Sequence, residues 1–320
     1  MISFLRASDL LGAGAPAAEA LTGGVSSEIW RVETPRGPLC IKRALPRLRV
    51  AQVWEAPVER NHYESEWFKV AGEAAPGAVP QVVARGEGLF AMEYLPPARY
   101  AVWKVRLAKG DAKPAFAAQV GATLGRIHAS TAGRPDVARR FATDRIFYDI
   151  RLEPYLVATA SAHPDLQKSL ELLVKRTAET RRCLVHGDVS PKNILCGPQG
   201  PVFLDAECAW YGDPAFDLAF VLNHLLLKCL WVPASRDAFL QCFDALSKSY
   251  LGVFREEGVE VRAASLLPAL LLARVDGKSP VEYLTDECDK DQVRRIARPL
   301  IEEPPSTLAE VKDAWQRSLT

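Results

Sequence analysis

The segment Leu184-Val-His-Gly-Asp-Val-Ser-Pro-Lys-Asn-Ile-Leu195 is followed within ten residues by Phe203-Leu-Asp-Ala-Glu207. Together they hold what metal-assisted phosphoryl transfer needs: a carboxylate to take or orient a hydroxyl proton, and hard oxygen donors for a divalent cation. Val185 and Ile194 to Leu195 flank the first segment as short apolar strands, and the turn cluster Gly197-Pro-Gln-Gly200 folds the second segment back on it. Asn193 and Asp205 are symmetric about Gln199, so a hairpin closed there brings them to the same end within a residue of register. An amide and a carboxylate oxygen suit Mg²⁺, which prefers oxygen ligands and keeps several waters. Asp188 lies five residues before Asn193 and is placed to act on an attacking hydroxyl. Glu207 shares the face of Asp205 if that segment is extended, and can then hold a second metal directly or through water.

A phosphate donor needs a cradle, and Leu21-Thr-Gly-Gly-Val-Ser-Ser-Glu-Ile-Trp-Arg-Val32 offers one. Gly23 and Gly24 permit close backbone approach, successive N–H groups at such a turn attract anions, and Ser26 and Ser27 can add hydroxyls. The same glycine pair also suits an ordinary hairpin turn, and it matches neither the dinucleotide fingerprint nor the Walker pattern. The strand Leu39-Cys-Ile-Lys42 alternates, so Leu39 and Ile41 face a core while Lys42 points the other way, toward a cleft where it can pair with α- and β-phosphates. That lysine needs a carboxylate to hold it. Residues 60–70 read as a helix with Tyr63, Trp67 and Val70 on one stripe; Glu64, beside the stripe, is preferred over Glu66, which has Lys69 at ion-pair spacing.

This order of features (Gly-Gly-x-Ser, strand lysine, helix glutamate, His186-Gly-Asp-x-x-x-x-Asn193, Asp205-x-Glu207) resembles the aminoglycoside phosphotransferase and choline kinase group, protein-kinase-like enzymes that phosphorylate small molecules. The likeness continues through Gly212-Asp-Pro-Ala-Phe-Asp-Leu218 and, more loosely, residues 124–128 and 274–284. The resemblance implies an α+β bilobal fold: a small N-terminal lobe, 1–95, with an antiparallel sheet and one helix, and a larger, mainly helical lobe, 96–320. It implies ATP at the hinge, with backbone groups of Glu93, Tyr94 and Leu95 offered to the purine. Asp188 becomes the catalytic base, Asn193 and Asp205 the magnesium ligands, Lys42 and Glu64 the phosphate-binding pair, His186 a loop-ordering residue and Asp217 a brace beneath the loop. Two departures from protein kinases, Ser190 where a lysine is usual and Asp205-Ala-Glu207 in place of Asp-Phe-Gly, fit small-molecule kinases better. Lys192 is left as either a phosphate contact or a solvated residue. The expected activity is transfer of the γ-phosphate of ATP to a small-molecule hydroxyl. The rivals are an aminoglycoside-resistance kinase, a protein kinase and an inactive nucleotide-binding module.

Composition is compatible with this. The 320 residues, 48% hydrophobic and 25% charged, can bury roughly three quarters of the surface of the unfolded chain. A formal charge of +1 with no basic block argues against a nucleic-acid partner. Seven cysteines without a Cys-x-x-Cys pair suit a reducing cytoplasm rather than a disulfide framework or zinc module. The apolar stretch 214–234 is interrupted by Asp217, Asn223, His224 and Lys228, which predicts a buried helix and no membrane span. Pro96-Pro97 marks the connection between lobes, and Phe116, Val120, Leu124 and Ile127 predict a helix beyond it. In the C-terminal third, Ser279-Pro-Val-Glu282 reads as a capping box. The acids at 286, 287, 289 and 291 complement a helix dipole, which leaves Asp276 as the acceptor-site candidate.

Overall fold

Alternating apolar and polar residues build an antiparallel sheet whose two faces are covered differently. In the computed structural model, which describes residues 1–12, 14, 16–21, 27–46 and 57–319, the strands are β1 (Ala18–Leu21), β2 (Ser27–Thr34), β3 (Gly37–Ala44), β4 (Val82–Gly86) and β5 (Leu89–Glu93), in the order β1-β2-β3-β5-β4. On β3, Leu39 and Ile41 join Val32, Ala91, Leu5 and Leu10 in a small core on one face. Cys40 goes to the other face, with Trp67, Phe68 and Val70 of the helix Arg60–Ala74. Lys42 is on this helix-covered side and is 3% exposed. The period of two in the strand thus decides that the lysine meets the helix and not the solvent.

Beyond β5 the chain is mainly helical, giving the bilobal α+β arrangement expected. The helix Pro214–Trp231 is long and apolar enough to cross a bilayer, but 94% of it is buried inside the protein, where it is the central core element. Asp213 caps its start by accepting from the Ala215 N–H at 3.0 Å. The helices Pro114–Thr131 and Arg236–Val253 pack against each other at Gly121, where a Cβ would lie 2.2 Å from the Leu246 carbonyl oxygen. Gly121→Ala is therefore expected to force the helices apart and cost about 1–3 kcal/mol, measurable as a lower denaturation midpoint.

Two short antiparallel pairings bracket the loop that carries the chemistry. Cys183–Val185 pairs with Trp210–Gly212, and Ile194–Gly197 pairs with Gly200–Phe203. The latter hairpin closes between Gln199 and Pro198, because Gly197 faces Gly200. Continuing that register, the Leu204 N–H donates to the Asn193 carbonyl at 2.8 Å, so Asp205 is the residue next to the partner of Asn193.

The capping box at 279–282 does not form. Arg274 donates Nη1 to the Ser279 carbonyl and, at 3.1 Å, to its hydroxyl, while Glu282 pairs with Lys104. With both box residues taken by tertiary contacts, the next helix starts at Glu287, capped by Asp286 accepting from the Cys288 N–H at 2.8 Å.

Candidate active site

The loop after Val185 is held by buried polar groups. Asp217, fully buried on the central helix, accepts the backbone N–H of His186 at 2.7 Å and of Gly187 at 2.8 Å. His128 lies 3.2 Å from the same carboxylate and 2.8 Å from the Tyr250 hydroxyl. His186 accepts the Asp188 N–H on Nδ1 at 3.1 Å and meets the Leu204 carbonyl with Nε2 at 3.0 Å. A carbonyl can only accept, so Nε2 carries the proton and the ring is neutral. Burial, which outweighs the nearby carboxylates, lowers its pKa and keeps it so. One imidazole thus ties the Asp188 segment to the segment that leads into Asp205. Gly187 has φ +78°, and a Cβ there would come within 2.7 Å of the Cys208 carbonyl oxygen.

Asp188 is 5% exposed. Its Oδ2 takes the Asn193 side-chain amide at 2.8 Å, the Arg151 Nη2 at 2.9 Å and the Lys192 ammonium at 3.4 Å. One hydrogen bond and two ion pairs on one oxygen fix the carboxylate and leave Oδ1 as the oxygen that can meet a hydroxyl. Asn193 spends its NH₂ on the Asp188 carboxylate and, at 3.1 Å, on the Asp188 carbonyl, so its amide oxygen is the group left for a cation. Ser190 Oγ is buried without a hydrogen-bond partner.

Across the site, Lys42 donates to Glu64 at 2.7 Å and also to Asp205 Oδ1. Burial lowers the Lys42 pKa, but Asp205 and Glu64 more than offset it, and the ammonium stays charged. Burial pushes the Glu64 carboxyl up to about 7 against the pull of Lys42. For Asp205 burial also raises the pKa, yet Lys42 and Lys192 outweigh it and hold the carboxyl below its ordinary value. Asp205 sits at φ +66°, one of only two non-glycine residues at positive φ among those described. Such a conformation persists where surrounding contacts over-determine it, often in active sites. Glu66 pairs with Arg85 and Arg140 rather than with Lys69.

Several expectations change. The left-handed turn at Asp205 means 205–207 is not extended, so Glu207 leaves the Asp205 face and accepts from Arg60 Nε at 2.9 Å. Arg60 also donates to the Pro57 carbonyl at 2.9 Å and the Leu45 carbonyl at 2.6 Å. Arg60 and Glu64, one helical turn apart, therefore hold Glu207 and Lys42 from a single helix face. In this arrangement Glu207 is a structural ion-pair partner. Glu93, the last residue of β5, gives its N–H to the Gln81 carbonyl at 2.9 Å, and Tyr94 and Leu95 follow the strand. Ser27 opens β2 opposite Ala44 and is 2% exposed; Gly23, Gly24 and Ser26 lie outside the described residues.

Asp276 is also committed elsewhere. It accepts from Arg294 at 2.7 Å and from His163 at 2.8 Å, and its side chain is 14% exposed. Burial raises its pKa, but the hydrogen bonds from Arg294 and His163 outweigh this and hold it below the ordinary carboxylate value. Asp276→Asn is accordingly expected to leave turnover unchanged while costing about 1–3 kcal/mol of stability. A depressed folded-state pKa contributes stability above the unfolded value near ~3.9. The difference between variant and parent should therefore be full at pH 7 and shrink as acid titrates the folded carboxylate, which denaturant melts at several pH values would show.

Sequence reasoning missed Arg60 and Arg151. Arg151 lies on a π-helix, Tyr148–Val157, and its Nε also donates to the Gly187 carbonyl. A lone arginine between Ile150 and Leu152 was the available signal.

The profile of the phosphotransferase enzyme family matches residues 17–245, more than half of the sequence. The chain belongs to that family. Among curated relatives, the chain is 25% identical over 222 residues to methylthioribose kinase of Erwinia tasmaniensis, a match covering 60% of this chain and 55% of the relative. It is 27% identical over 188 residues to a probable ketoamine kinase of Klebsiella aerogenes, covering 50% and 60%. The match thus spans little more than half the length of the methylthioribose kinase. Among solved structures, the amicoumacin kinase hAmiN in complex with AMP-PNP and Ca²⁺ superposes with a TM-score of 0.58 at 14% identity, covering 96% of this chain and 94% of that one. A choline/ethanolamine kinase family protein from Mesorhizobium loti gives 0.52 at 16% identity, covering 95% and 93%. At these identities the likeness shows that the chain shares the fold of both.

Proposed function

We propose that this phosphotransferase moves the γ-phosphoryl group of ATP, with Mg²⁺, to a hydroxyl of a small molecule, with Asp188 as the base and Asn193 and Asp205 as the metal ligands. The supporting observation is the convergence of the Asp188–Asn193 pair with the Lys42–Glu64–Asp205 set through His186, which touches both segments. The donor chemistry fits a hard cation. Asn193 keeps its oxygen free by committing its nitrogen, and Asp205 adds a carboxylate. No group of three or more His, Cys, Asp or Glu side chains converges on one point among the described residues, so a cation here would complete its shell with phosphate and water oxygens, as Mg²⁺ does. When bound, the ion supplies charge neutralisation at the phosphates.

The protein's own groups supply position. Lys42, fixed by Glu64, presents an ammonium toward the donor phosphates. Asp188 Oδ1 accepts and orients the acceptor hydroxyl while Arg151, Lys192 and Asn193 hold Oδ2. Holding the carboxylate in place suits a reaction whose transition state asks more for orientation than for early proton removal. Tyr94 and Leu95 offer backbone groups to the purine. The test is ADP release from Mg²⁺ and ATP with a panel of amino alcohols, aminoglycosides, sugars and amino acids, using an Asp188 variant as the blank. No acceptor-dependent release above that blank from any class, or equal release by the variant, would refute the assignment.

A further inference from the structure

The wall of the site beyond Asp188 is cationic and aromatic. Arg151, bonded to Asp188, lies 5.8 Å from the Tyr155 ring and 5.9 Å from the Phe220 ring. Arg274 donates to the Tyr155 hydroxyl at 3.1 Å, and the Phe220 ring is 5.4 Å from His224. One turn on, Lys228 places its ammonium 4.5 Å from the Tyr283 ring and 4.9 Å from Trp231, which stack on each other at 4.4 Å. Lys104 sits at the rim, 5.9 Å from Tyr283 and paired with the exposed Glu282. From Asp188 to the rim the cations are Arg151, Lys192, Arg274, Lys228 and Lys104, against the carboxylates of Asp188, Asp205 beside Lys192, and Glu282.

Lys228 has no place in the mechanism so far. It is 1% exposed and has no hydrogen bond or ion pair among the described residues, only the two rings. Arg274 Nε and the Tyr283 hydroxyl are buried without partners beside it. A buried ammonium lacking a carboxylate is costly to maintain. Burial brings its pKa down to about 7, helped by Lys104 and Arg274 and opposed by Glu282. For His224, after burial, the charges that lower the pKa are Arg274, Lys228, Lys192 and Lys104. The ring is therefore neutral and able to donate one hydrogen bond. Trp231 and Tyr283 are only half-buried, so the aromatic cage reaches solvent.

We propose that the acceptor carries an oxyanion, a carboxylate or a phosphate monoester, which docks against Lys228, His224 and Arg274 while its hydroxyl meets Asp188. This rests on the phosphotransferase reading of the same site and gives its substrate class. A bound oxyanion would supply the counter-charge Lys228 lacks, accept from the unpartnered donors, and leave the sugar-like or alkyl part against Tyr155, Phe220 and Trp231. A polycationic aminoglycoside would meet like charge there instead.

The experiment compares gluconate, glucose 6-phosphate, glucose and kanamycin, by ADP release and by calorimetric binding to the protein with Mg²⁺ and ADP. It uses the full chain and Lys228→Met, which keeps the length and removes the charge. One of the two anions should be preferred, which separates carboxylate from phosphate. Lys228→Met should raise its KM and weaken its binding by roughly 10–100-fold with much less change in kcat, so that the anion loses its advantage over glucose. Because a desolvated ammonium is removed, the variant should melt no lower than the parent, so a loss of binding is not a loss of fold. Preference for glucose or kanamycin, or anion binding indifferent to Lys228→Met, overturns the proposal. Anion binding that depends on Lys228 but comes with no ADP release and no nucleotide affinity leaves the oxyanion site standing and removes the phosphotransferase reading.

Discussion

Asp188→Asn is expected to lower kcat by roughly 10²–10⁴-fold while leaving nucleotide affinity close to that of the parent. The contacts of Asp188 run to Arg151, Lys192 and Asn193 and not to the Lys42–Glu64 pair, so the loss falls on the acceptor side. An interaction used on the reacting hydroxyl appears in kcat rather than in donor binding. The choice of Asn matters. Asp188→Ala would leave the Arg151 guanidinium, 5% exposed, beside no carboxylate, and stranding a buried charge costs about 3–5 kcal/mol. A drop in rate for Ala would then mix unfolding with catalysis. Asn preserves the shape and one acceptor oxygen. Steady-state rates with the true acceptor, together with nucleotide titration, decide the matter. Undiminished turnover in Asp188→Asn would remove the residue from the proposed role.

The parts of the site that could be read in advance are those whose geometry is local. The 194–203 hairpin follows from a four-residue turn cluster between apolar strands, and its register places Asn193 next to Asp205 within one residue. The orientation of Lys42 follows from alternation on β3, and the preference for Glu64 over Glu66 follows from the helix stripe. What could not be read depends on partners far along the chain or on backbone sterics. Arg60 finds Glu207 and Arg151 finds Asp188 across long separations, and nothing beside either arginine in sequence announces its carboxylate. Glu207 was placed by assuming an extended segment, which a single positive φ at Asp205 breaks. The 279–282 signature has the residues of a helix start, yet Arg274 and Lys104 claim them. Local hydrogen bonding competes with tertiary ion pairs, and composition alone does not say which prevails. The bilobal α+β fold was legible because its strands and helices differ in hydrophobic period; the roles of its inward-facing cations were not.

Replacing Asp205 should have the largest effect on donor binding. In the proposed site its carboxylate is the charged oxygen offered to the cation beside the Asn193 amide, Glu207 being tied to Arg60, so its loss should weaken Mg²⁺-dependent nucleotide binding by more than the roughly 10–100-fold that removal of an outer-shell partner costs. It also deprives Lys42 of one of two carboxylates at a position that is 3% exposed. Two variants separate the effects. Asp205→Ala must adopt φ +66° without the local side-chain bonding that lets Asp or Asn occupy that region, a penalty of about 1–2 kcal/mol. Asp205→Asn keeps that tolerance and removes the charge. Calorimetric titration with ATP, with and without Mg²⁺, should show a strong metal dependence in the parent and little in either variant, while only Asp205→Ala carries the added backbone cost in its melting temperature. If Asp205→Asn binds Mg²⁺-nucleotide as tightly as the parent, the cation is held elsewhere, and the convergence of Lys42, Asn193 and Asp205 is a structural ion-pair network rather than a phosphate-and-metal site.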